Sequence, residues 1–340
     1  MLQNNIQIFI WCLSLVSTTF AIECLPYPVA SVCKIEYVSY NPGDGITFPK
    51  GYQQFIIKSS VSTKKGYSKV ATMDPDLYEA MHRPSSIEMI GVALRTIALP
   101  SELLLGDFTG NWIASVDTSS AENYKITYLD LSSNTLDDMH FVKRLVNLEF
   151  LSLRTNRIKT IPALVLNTLT KLKYLYLQYN HFTTIPWNDI PSSLIHLDCS
   201  HSVVRSVEFA NISLPSLEYL NLQYNFIPSI NVSDLIQATP QLKEAHLFNV
   251  DIDWPRMGEI MSELASKNIS YSNYYDGCPF DGNYTIKLGR CYRRRRQKPP
   301  ADVGIDKKAV MVSIVAVGSG VLFVYIMLIA CRRMKQLRWF

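Results

Sequence analysis

The sequence lacks the motifs by which the common enzyme classes are recognised. It contains no H-E-x-x-H zinc signature, no G-x-S-x-G nucleophile elbow and no phosphate-binding P-loop. The net charge is +4, but basic residues are concentrated at Arg293–Arg296 and in the run Arg332, Arg333, Lys335, Arg338. Nothing elsewhere marks a nucleic-acid surface. We therefore expect a protein that is not an enzyme, with no cofactor, no metal and no nucleic-acid partner.

Charge is also missing from two apolar segments. The first, residues 8–20, precedes small residues that end at Ala21, which predicts a signal peptide at residues 1–21. Residues 1–7 contain no Lys or Arg, unlike most signal peptides, so an uncleaved signal anchor is the alternative. In either case the chain is expected to enter the secretory pathway.

The second uncharged segment covers residues 309–331. At a helical rise of about 1.5 Å per residue it is long enough to cross about 30 Å of hydrocarbon. This predicts a single-pass plasma membrane protein with residues 22–308 extracellular. The short cytoplasmic tail, residues 332–340, predicts signalling through a co-receptor. Ala316 and Gly320 form a small-xxx-small pair that permits a homodimer.

Cysteines and sequons are consistent with an extracellular location. Cys24 and Cys33 are close in sequence, as are Cys278 and Cys291, and we expect these two local disulfides. Cys199 is then left over. Asn-x-Ser/Thr sequons predict glycosylation at Asn211, Asn231, Asn268 and Asn283.

A repeat of 22 to 25 residues runs through the middle of the chain. On the template L-x-x-L-x-L-x-x-N-x-L, one unit is Ile126, Leu129, Leu131, Asn134, Leu136. The following units are centred on Leu151, Leu175, Leu197 and Leu220, with Cys199 at one of the leucine positions. Degenerate units can be placed at Leu103, Gly106, Phe108, Asn111, Ile113 and at Leu242, Ala245, Leu247, Val250, Ile252, and an irregular one at Ile87, Ile90, Val92, Ile97.

These units resemble the extracellular leucine-rich-repeat family over about 150 residues. The resemblance implies an α/β solenoid with a parallel β-sheet on its concave face, disulfide-containing caps, and here one transmembrane helix. Stacked units bury one another's leucines, and the template asparagines satisfy backbone groups in the turns. The expected organisation is a signal peptide (1–21), an N-terminal flank (22–85), the solenoid (86–270), a C-terminal cap (271–292), a basic juxtamembrane stalk (293–308), the transmembrane helix (309–331) and the tail (332–340).

Residues that alternate with the strand leucines should point outward onto the concave face. They form three columns, which are Tyr128, Phe150, Tyr174, His196, Tyr219, Glu244; Asp130, Ser152, Tyr176, Asp198, Asn221, His246; and Ser132, Arg154, Gln178, Ser200, Gln223, Phe248. Just beyond lie Thr155, Tyr179, His201 and Tyr224. An aromatic column suits a protein interface, and stacking that merely stabilises the sheet is the alternative.

Charges in these columns nearly cancel, with Asp130, Asp198 and Glu244 opposed by Arg154. This disfavours an anionic ligand such as heparin and favours a protein or a neutral glycan. His196, Asp198 and His201 do not match the spacing of a metal site. Cys199 is expected in the core as a small apolar filler.

These features predict a cell-surface recognition receptor or co-receptor that binds a protein or microbial ligand on its concave face. An adhesion or matrix-organising protein is one alternative. Another is an ectodomain shed at Arg293, Arg294, Arg295 and Arg296, a basic run that furin-like proteases cut, to act as a secreted binding factor. The architecture is similar to that of insect transmembrane leucine-rich immune proteins, which implies innate immunity, but it lacks their usual cysteine pattern after the repeats.

Overall fold

The computed structural model describes residues 20–59, 68–119, 123–247, 250–252, 254–271, 284–287 and 290–293. The chain divides into two compact units, residues 1–272 and residues 273–340. Among the residues just given, no helix combines the length and the apolar character needed to cross a membrane. The predicted span at 309–331, most of the signal peptide, and most of the stalk lie outside the described residues.

The first unit is built on a ten-stranded sheet in which every neighbouring pair is parallel. Its strands follow one another across the sheet in chain order. They are β2 (Val32–Ile35), β5 (Gln54–Lys58), β8 (Ser86–Ile90), β10 (Leu105–Asp107), β12 (Tyr128–Asp130), β13 (Phe150–Ser152), β14 (Tyr174–Tyr176), β15 (His196–Asp198), β16 (Tyr219–Asn221) and β17 (Glu244–His246). This is the predicted solenoid sheet.

Smaller elements complete the turns of the solenoid. A three-stranded sheet contains β7 (Thr72–Met73), β9 (Thr96–Ala98) and β11 (Ser115–Asp117), and two pairs join β1 (Phe20–Ala21) to β4 (Ile46–Thr47) and β3 (Ser39–Tyr40) to β6 (Lys69–Val70). The helices are α1 (Pro75–Ala80), α2 (Val232–Ala238) and α3 (Trp254–Ser266), with 3-10 turns at His140–Arg144, Leu166–Thr168 and Trp187–Asp189. In the second unit, β18 (Tyr284–Lys287) and β19 (Arg290–Arg293) form an antiparallel pair.

The core lies under one face of the main sheet. Leu129, Leu151, Leu175, Leu197 and Leu220 pair in register on successive strands, and each has 0% of its surface exposed. No unit can cover its own leucine, so each depends on the units beside it. Cys199 is a free, fully buried thiol among these side chains, as predicted, and burial raises its pKa well above the ordinary value.

Two features of the repeats differ from the sequence-based alignment. Ile87 pairs with Gly106, which occupies the second leucine position of its unit, so the irregular repeat was placed three residues out of register. In addition, β2 and β5 belong to the main sheet although they lie in residues 22–85, assigned above to an N-terminal flank. Cys33, Phe55 and Ile57 fill the core there in place of leucines, and each is fully buried.

The template asparagines form a hydrogen-bonded ladder between the units, as predicted. The amide of Asn134 donates to the carbonyl oxygens of Phe108 and Leu131, and its oxygen accepts from the backbone N–H of Ile113. Asn111, Asn156, Asn180 and Asn225 make equivalent bonds. Each asparagine therefore ties its own turn to the preceding unit and satisfies backbone groups that the turn would otherwise leave without partners.

The predicted disulfide between Cys24 and Cys33 is present, with 5.1 Å between Cα atoms. It joins the first strand of the main sheet to the preceding segment, where Leu25 pairs antiparallel with Lys34. Strand β1 lies at the end of the predicted signal peptide and takes no part in the main sheet, so cleavage after Ala21 would leave that sheet intact. Cys278 lies outside the described residues, and the Cys278–Cys291 disulfide stays a prediction.

Candidate binding face

The face of the main sheet opposite the core carries the three predicted columns of outward side chains, apart from Phe248, which lies outside the described residues. We call it the open face. The strand register places the first column side by side, with Tyr128 paired to Phe150, Phe150 to Tyr174 and Tyr174 to His196. His196 in turn pairs with Tyr219, and Tyr219 with Glu244. The column that the sequence predicted is thus continuous on the sheet.

The rings of this column contact one another along its length. Tyr128 and Phe150 are stacked with centroids 4.3 Å apart, and His196 and Tyr219 are stacked at 3.9 Å. Between these two pairs, Tyr176 of the second column bridges, since its ring lies 5.4 Å from Phe150 and 4.8 Å from His196. Tyr174 is 39% exposed, so part of the ring surface remains available to a ligand.

In the second column, polar side chains near the end of each strand shape the turn that follows. Asp130 Oδ1 accepts from the N–H of Ser132, Asp198 Oδ1 from the N–H and hydroxyl of Ser200, and Asn221 Oδ1 from the N–H of Gln223. Ser152 shares a 2.6 Å hydroxyl contact with Ser132. These residues have a structural role. Asp130 keeps its second carboxylate oxygen for a ligand, whereas Asp198 Oδ2 accepts from the amide of Asn221.

A second stack of rings borders the open face. Tyr179, His201 and Tyr224 are stacked with centroid distances of 4.2 and 4.1 Å, and the guanidinium of Arg154 lies 5.6 Å from the Tyr179 centroid. All three ring residues have positive φ, at 59°, 51° and 55°. They precede the ladder position of their unit, where the chain must turn sharply, and mutual stacking offsets the cost of that conformation. The side-chain oxygen of Gln178, the residue before Tyr179, is buried.

Further residues of the open face were not predicted, among them Leu105, Asp107 and Glu88. Leu105 and Asp107 pair in register with Tyr128 and Asp130, and Glu88 pairs with Asp107. Leu105 is 44% exposed. The signal for the first two was present, since the unit at Leu103 and Gly106 fixes the alternation of β10. Glu88 was missed because its unit was placed out of register.

Including these residues adds both acidic and basic groups to the open face. From β2 to β17 it carries five carboxylates, those of Glu88, Asp107, Asp130, Asp198 and Glu244, and three basic groups, those of Lys34, Lys58 and Arg154. The excess of two carboxylates is the same as that among Asp130, Asp198, Glu244 and Arg154, the four charged residues on which the expectation was based. Burial, followed by the carboxylates of Asp130, Asp107 and Glu88, raises the pKa of Tyr128 to about 12.

His196 lies at the centre of the first column. Its Nε2 is buried and has no hydrogen-bond partner among the residues that the structure describes. Burial lowers the pKa of His196, while Asp198 and Glu244 act in the opposite direction. The neutral imidazole, stacked on Tyr219, is thus the form that this environment favours.

Within the described ranges, no group of three or more His, Cys, Asp or Glu residues is arranged to hold a metal. His201 is engaged in its ring stack, and Asp198 bonds Ser200 and Asn221. A cavity of about 420 Å³ lies beside β11, away from the open face. Its polar groups form hydrogen bonds with one another. Arg144 donates to the carbonyl oxygen of Thr118, and the ring of His140 is hydrogen-bonded to the carboxylate of Asp138.

Three of the predicted glycosylation sites can be placed. Asn211, Asn231 and Asn268 are all exposed, and Asn283 lies outside the described residues. Asn231 caps α2, where its side-chain oxygen accepts from the N–H of Asp234. A glycan attached through the amide nitrogen would leave that oxygen free to accept the bond.

Comparison with known proteins supports the repeat assignment. The family model described as leucine-rich repeats, in two copies, matches residues 146–191, which include β13 and β14. Osteomodulin from Bos taurus is 32% identical over 181 residues, which is 52% of this chain and 42% of osteomodulin. The chain therefore spans less than half the length of this relative.

Among solved structures, an internalin C2 from Listeria monocytogenes is 26% identical, with a TM-score of 0.47 over 58% of this chain and 82% of that chain. The LRIM1/APL1C complex is 12% identical, with a TM-score of 0.46 over 94% of this chain and 78% of that chain. Repeat solenoids in general present extended concave surfaces that are used for binding. Residues 146–191, which match the leucine-rich-repeat model, thus lie within a solenoid of parallel strands.

Proposed function

We propose that this protein is a cell-surface recognition receptor or co-receptor that binds a protein ligand through the open face of its repeats. In this proposal residues 309–331 anchor it in the plasma membrane, and a separate signalling partner transmits the binding event. A role in innate immunity stays a prediction that rests on architectural resemblance.

The single observation that carries the proposal is the continuous column of rings from Tyr128 to Tyr219. Tyrosine supplies a large contact area with a polar tip and loses little conformational entropy on binding, which is why aromatic residues are enriched at interface cores. Rings that served only to stabilise the sheet could be fully covered by their neighbours. Tyr174 and Tyr179 instead keep 39% and 44% of their surface exposed.

A photo-crosslinking experiment on cells tests this proposal. A benzophenone amino acid replaces Tyr174 on the open face in one full-length variant and Leu164, which is 63% exposed and lies outside the main sheet, in another. We expect protein adducts from the Tyr174 position and few from Leu164. Adducts at Leu164 alone, or at neither position, would contradict binding through the open face.

Two alternatives make different predictions in the same cells. An adhesion protein would cause expressing cells to aggregate, and Tyr174→Ala together with Tyr219→Ala would abolish the aggregation. Shedding at Arg293–Arg296 would release the ectodomain when a furin-like convertase is co-expressed. An ectodomain that stays cell-associated at unchanged mass would exclude shedding.

A further inference from the structure

Three of the five carboxylates of the open face lie on adjacent strands in its N-terminal half. Glu88, Asp107 and Asp130 lie in register on β8, β10 and β12. Adjacent strands are about 4.8 Å apart, so these three carboxylates form a short row. The whole chain, by contrast, has a net charge of +4. The acidity therefore belongs to this face and does not reflect the overall composition.

Only part of this negative charge is balanced within the protein. Lys58 pairs with Glu88 at 2.9 Å. Asp107 and Asp130 use Oδ1 to accept from the N–H groups of Thr109 and Ser132, and neither forms an ion pair with any described residue. Each of these two carboxylates thus keeps one oxygen that could accept from a ligand.

Apolar surface lies directly beside the row. Leu105 is 44% exposed and pairs with Tyr128 on the next strand. Tyr128 is stacked on Phe150 at 4.3 Å, and within the described part of the chain no other ring contacts it. Residues two apart on a strand are separated by about 6.6 Å. A side chain that crosses this distance could lie on Leu105 and Tyr128 and end at Asp107 and Asp130.

Arginine and lysine have the required form. Their aliphatic stems pack on apolar surface while the charged head reaches a carboxylate, and a cation over a tyrosine ring gains further attraction. An acidic partner segment would meet the carboxylates of Asp107 and Asp130, which no described basic group neutralises. We propose that the protein partner presents an arginine or lysine to the part of the open face formed by Leu105, Asp107, Tyr128 and Asp130. This inference rests on the proposed function, because it names the chemistry of the partner at the same face.

The test uses the full-length chain, solubilised in detergent, and a phage library of random dodecapeptides as the probe. We expect the selected peptides to be enriched in Arg and Lys relative to the unselected library. The same peptides are then measured against Asp107→Asn, Asp130→Asn and the double variant. The asparagine oxygen can still accept from Thr109 or Ser132, so these changes remove charge without removing the turn. Affinity should fall roughly threefold to tenfold for each carboxylate.

Asp117→Asn is the matched control. Asp117 Oδ1 accepts from the N–H of Ser119 at 2.8 Å, as Asp107 and Asp130 accept from the residue two positions on. Asp117, however, lies at the end of β11 in the three-stranded sheet. Peptide affinity should not change in this variant. The thermal unfolding midpoints of the Asp107 and Asp130 variants are compared with that of Asp117→Asn. Similar midpoints would show that the Asp107 and Asp130 variants remain folded. Added salt should weaken binding to the wild type more than to the double variant.

Other outcomes separate this inference from the proposed function. Peptides that lack an excess of Arg and Lys, or that bind the double variant as tightly as the wild type, overturn the cationic partner. If those peptides still lose affinity for Tyr174→Ala, binding through the open face stands. Peptides insensitive to all of these changes contradict both proposals, and a selection that enriches no peptide overturns the cationic partner.

Discussion

The imidazole of His196 lies parallel to the phenol ring of Tyr219, with 3.9 Å between ring centroids and 3° between ring planes. The contact joins β15 to β16 at the centre of the open face. It also helps to keep Nε2 of His196 away from water, and burial lowers the pKa of this group below its ordinary value of 6.5. The fold thus favours the neutral ring over the protonated one.

The free energy of unfolding should therefore decrease as the pH falls below about 6.5. In this range the unfolded chain binds a proton at His196 and the folded chain does not, so acid favours unfolding. His196→Phe keeps a ring in the stack and removes the titration. We expect its unfolding midpoint to fall less between pH 7.5 and pH 5.5 than that of the wild type, as measured by circular dichroism.

His181→Phe is the control for this measurement, because His181 is exposed and lies outside the strands of the open face. Burial also lowers the pKa of His201, so the His196 variant should retain part of the pH dependence. An equal loss of stability on acidification in wild type and His196→Phe would show that His196 does not contribute.

Gly106 stands where other units place a leucine, and the structure predicts that even alanine will not fit. A Cβ there would lie 2.7 Å from Phe108 Cε2 and 3.4 Å from Leu103 and Leu129. Gly106→Ala should lower the free energy of unfolding by about 1 to 3 kcal/mol through overpacking. Gly258 in α3 has no heavy atom within 4 Å of a Cβ, so Gly258→Ala should be neutral or stabilising. Chemical denaturation of both variants measures the difference.

Much of this arrangement could be predicted from sequence because it depends on short spacings. A leucine at a fixed offset from an asparagine defines the strand, and alternation along the strand then assigns Tyr128, Phe150 and Tyr174 to one column. Parallel stacking of similar units brings equivalent positions together. The register of the open face from β12 to β17 followed from these two facts alone.

The rest of the fold could not be predicted from sequence, because it depends on contacts between residues far apart in the chain. Cys33, Phe55 and Ile57 occupy leucine positions without the template around them, so β2 and β5 could be assigned to the sheet only from the pairing of β2 with β5 and of β5 with β8. The tilt of each ring is also set by its neighbours. Tyr176 was predicted in the second column, but its contacts with Phe150 and His196 of the first column depend on side-chain geometry.

The Cys24–Cys33 disulfide should stabilise the N-terminal end of the solenoid. The two cysteines are separated by 9 residues in sequence. Closing a loop of this size reduces the entropy of the unfolded chain by an amount equivalent to about 2 to 3 kcal/mol. Reductant should therefore lower the unfolding midpoint of the wild type and have no such effect on a Cys24→Ala, Cys33→Ala variant. A wild-type midpoint that reductant leaves unchanged would contradict this role.

The asparagine ladder is interrupted at Ser202, where a further prediction arises. Ser202 Oγ is buried and has no hydrogen-bond partner among the described residues, whereas Asn180 and Asn225 on either side bond backbone groups of two units. By analogy with those bonds, an asparagine at this position would accept from the N–H of Phe182 and donate to the carbonyl oxygens of Leu177 and Cys199. Ser202→Asn should raise the free energy of unfolding by about 1 to 2 kcal/mol, and the reverse change Asn225→Ser should lower it by about 1 to 3 kcal/mol. Denaturant titration of the two variants tests both signs, and a destabilised Ser202→Asn protein would mean that the turn has no room for the larger side chain.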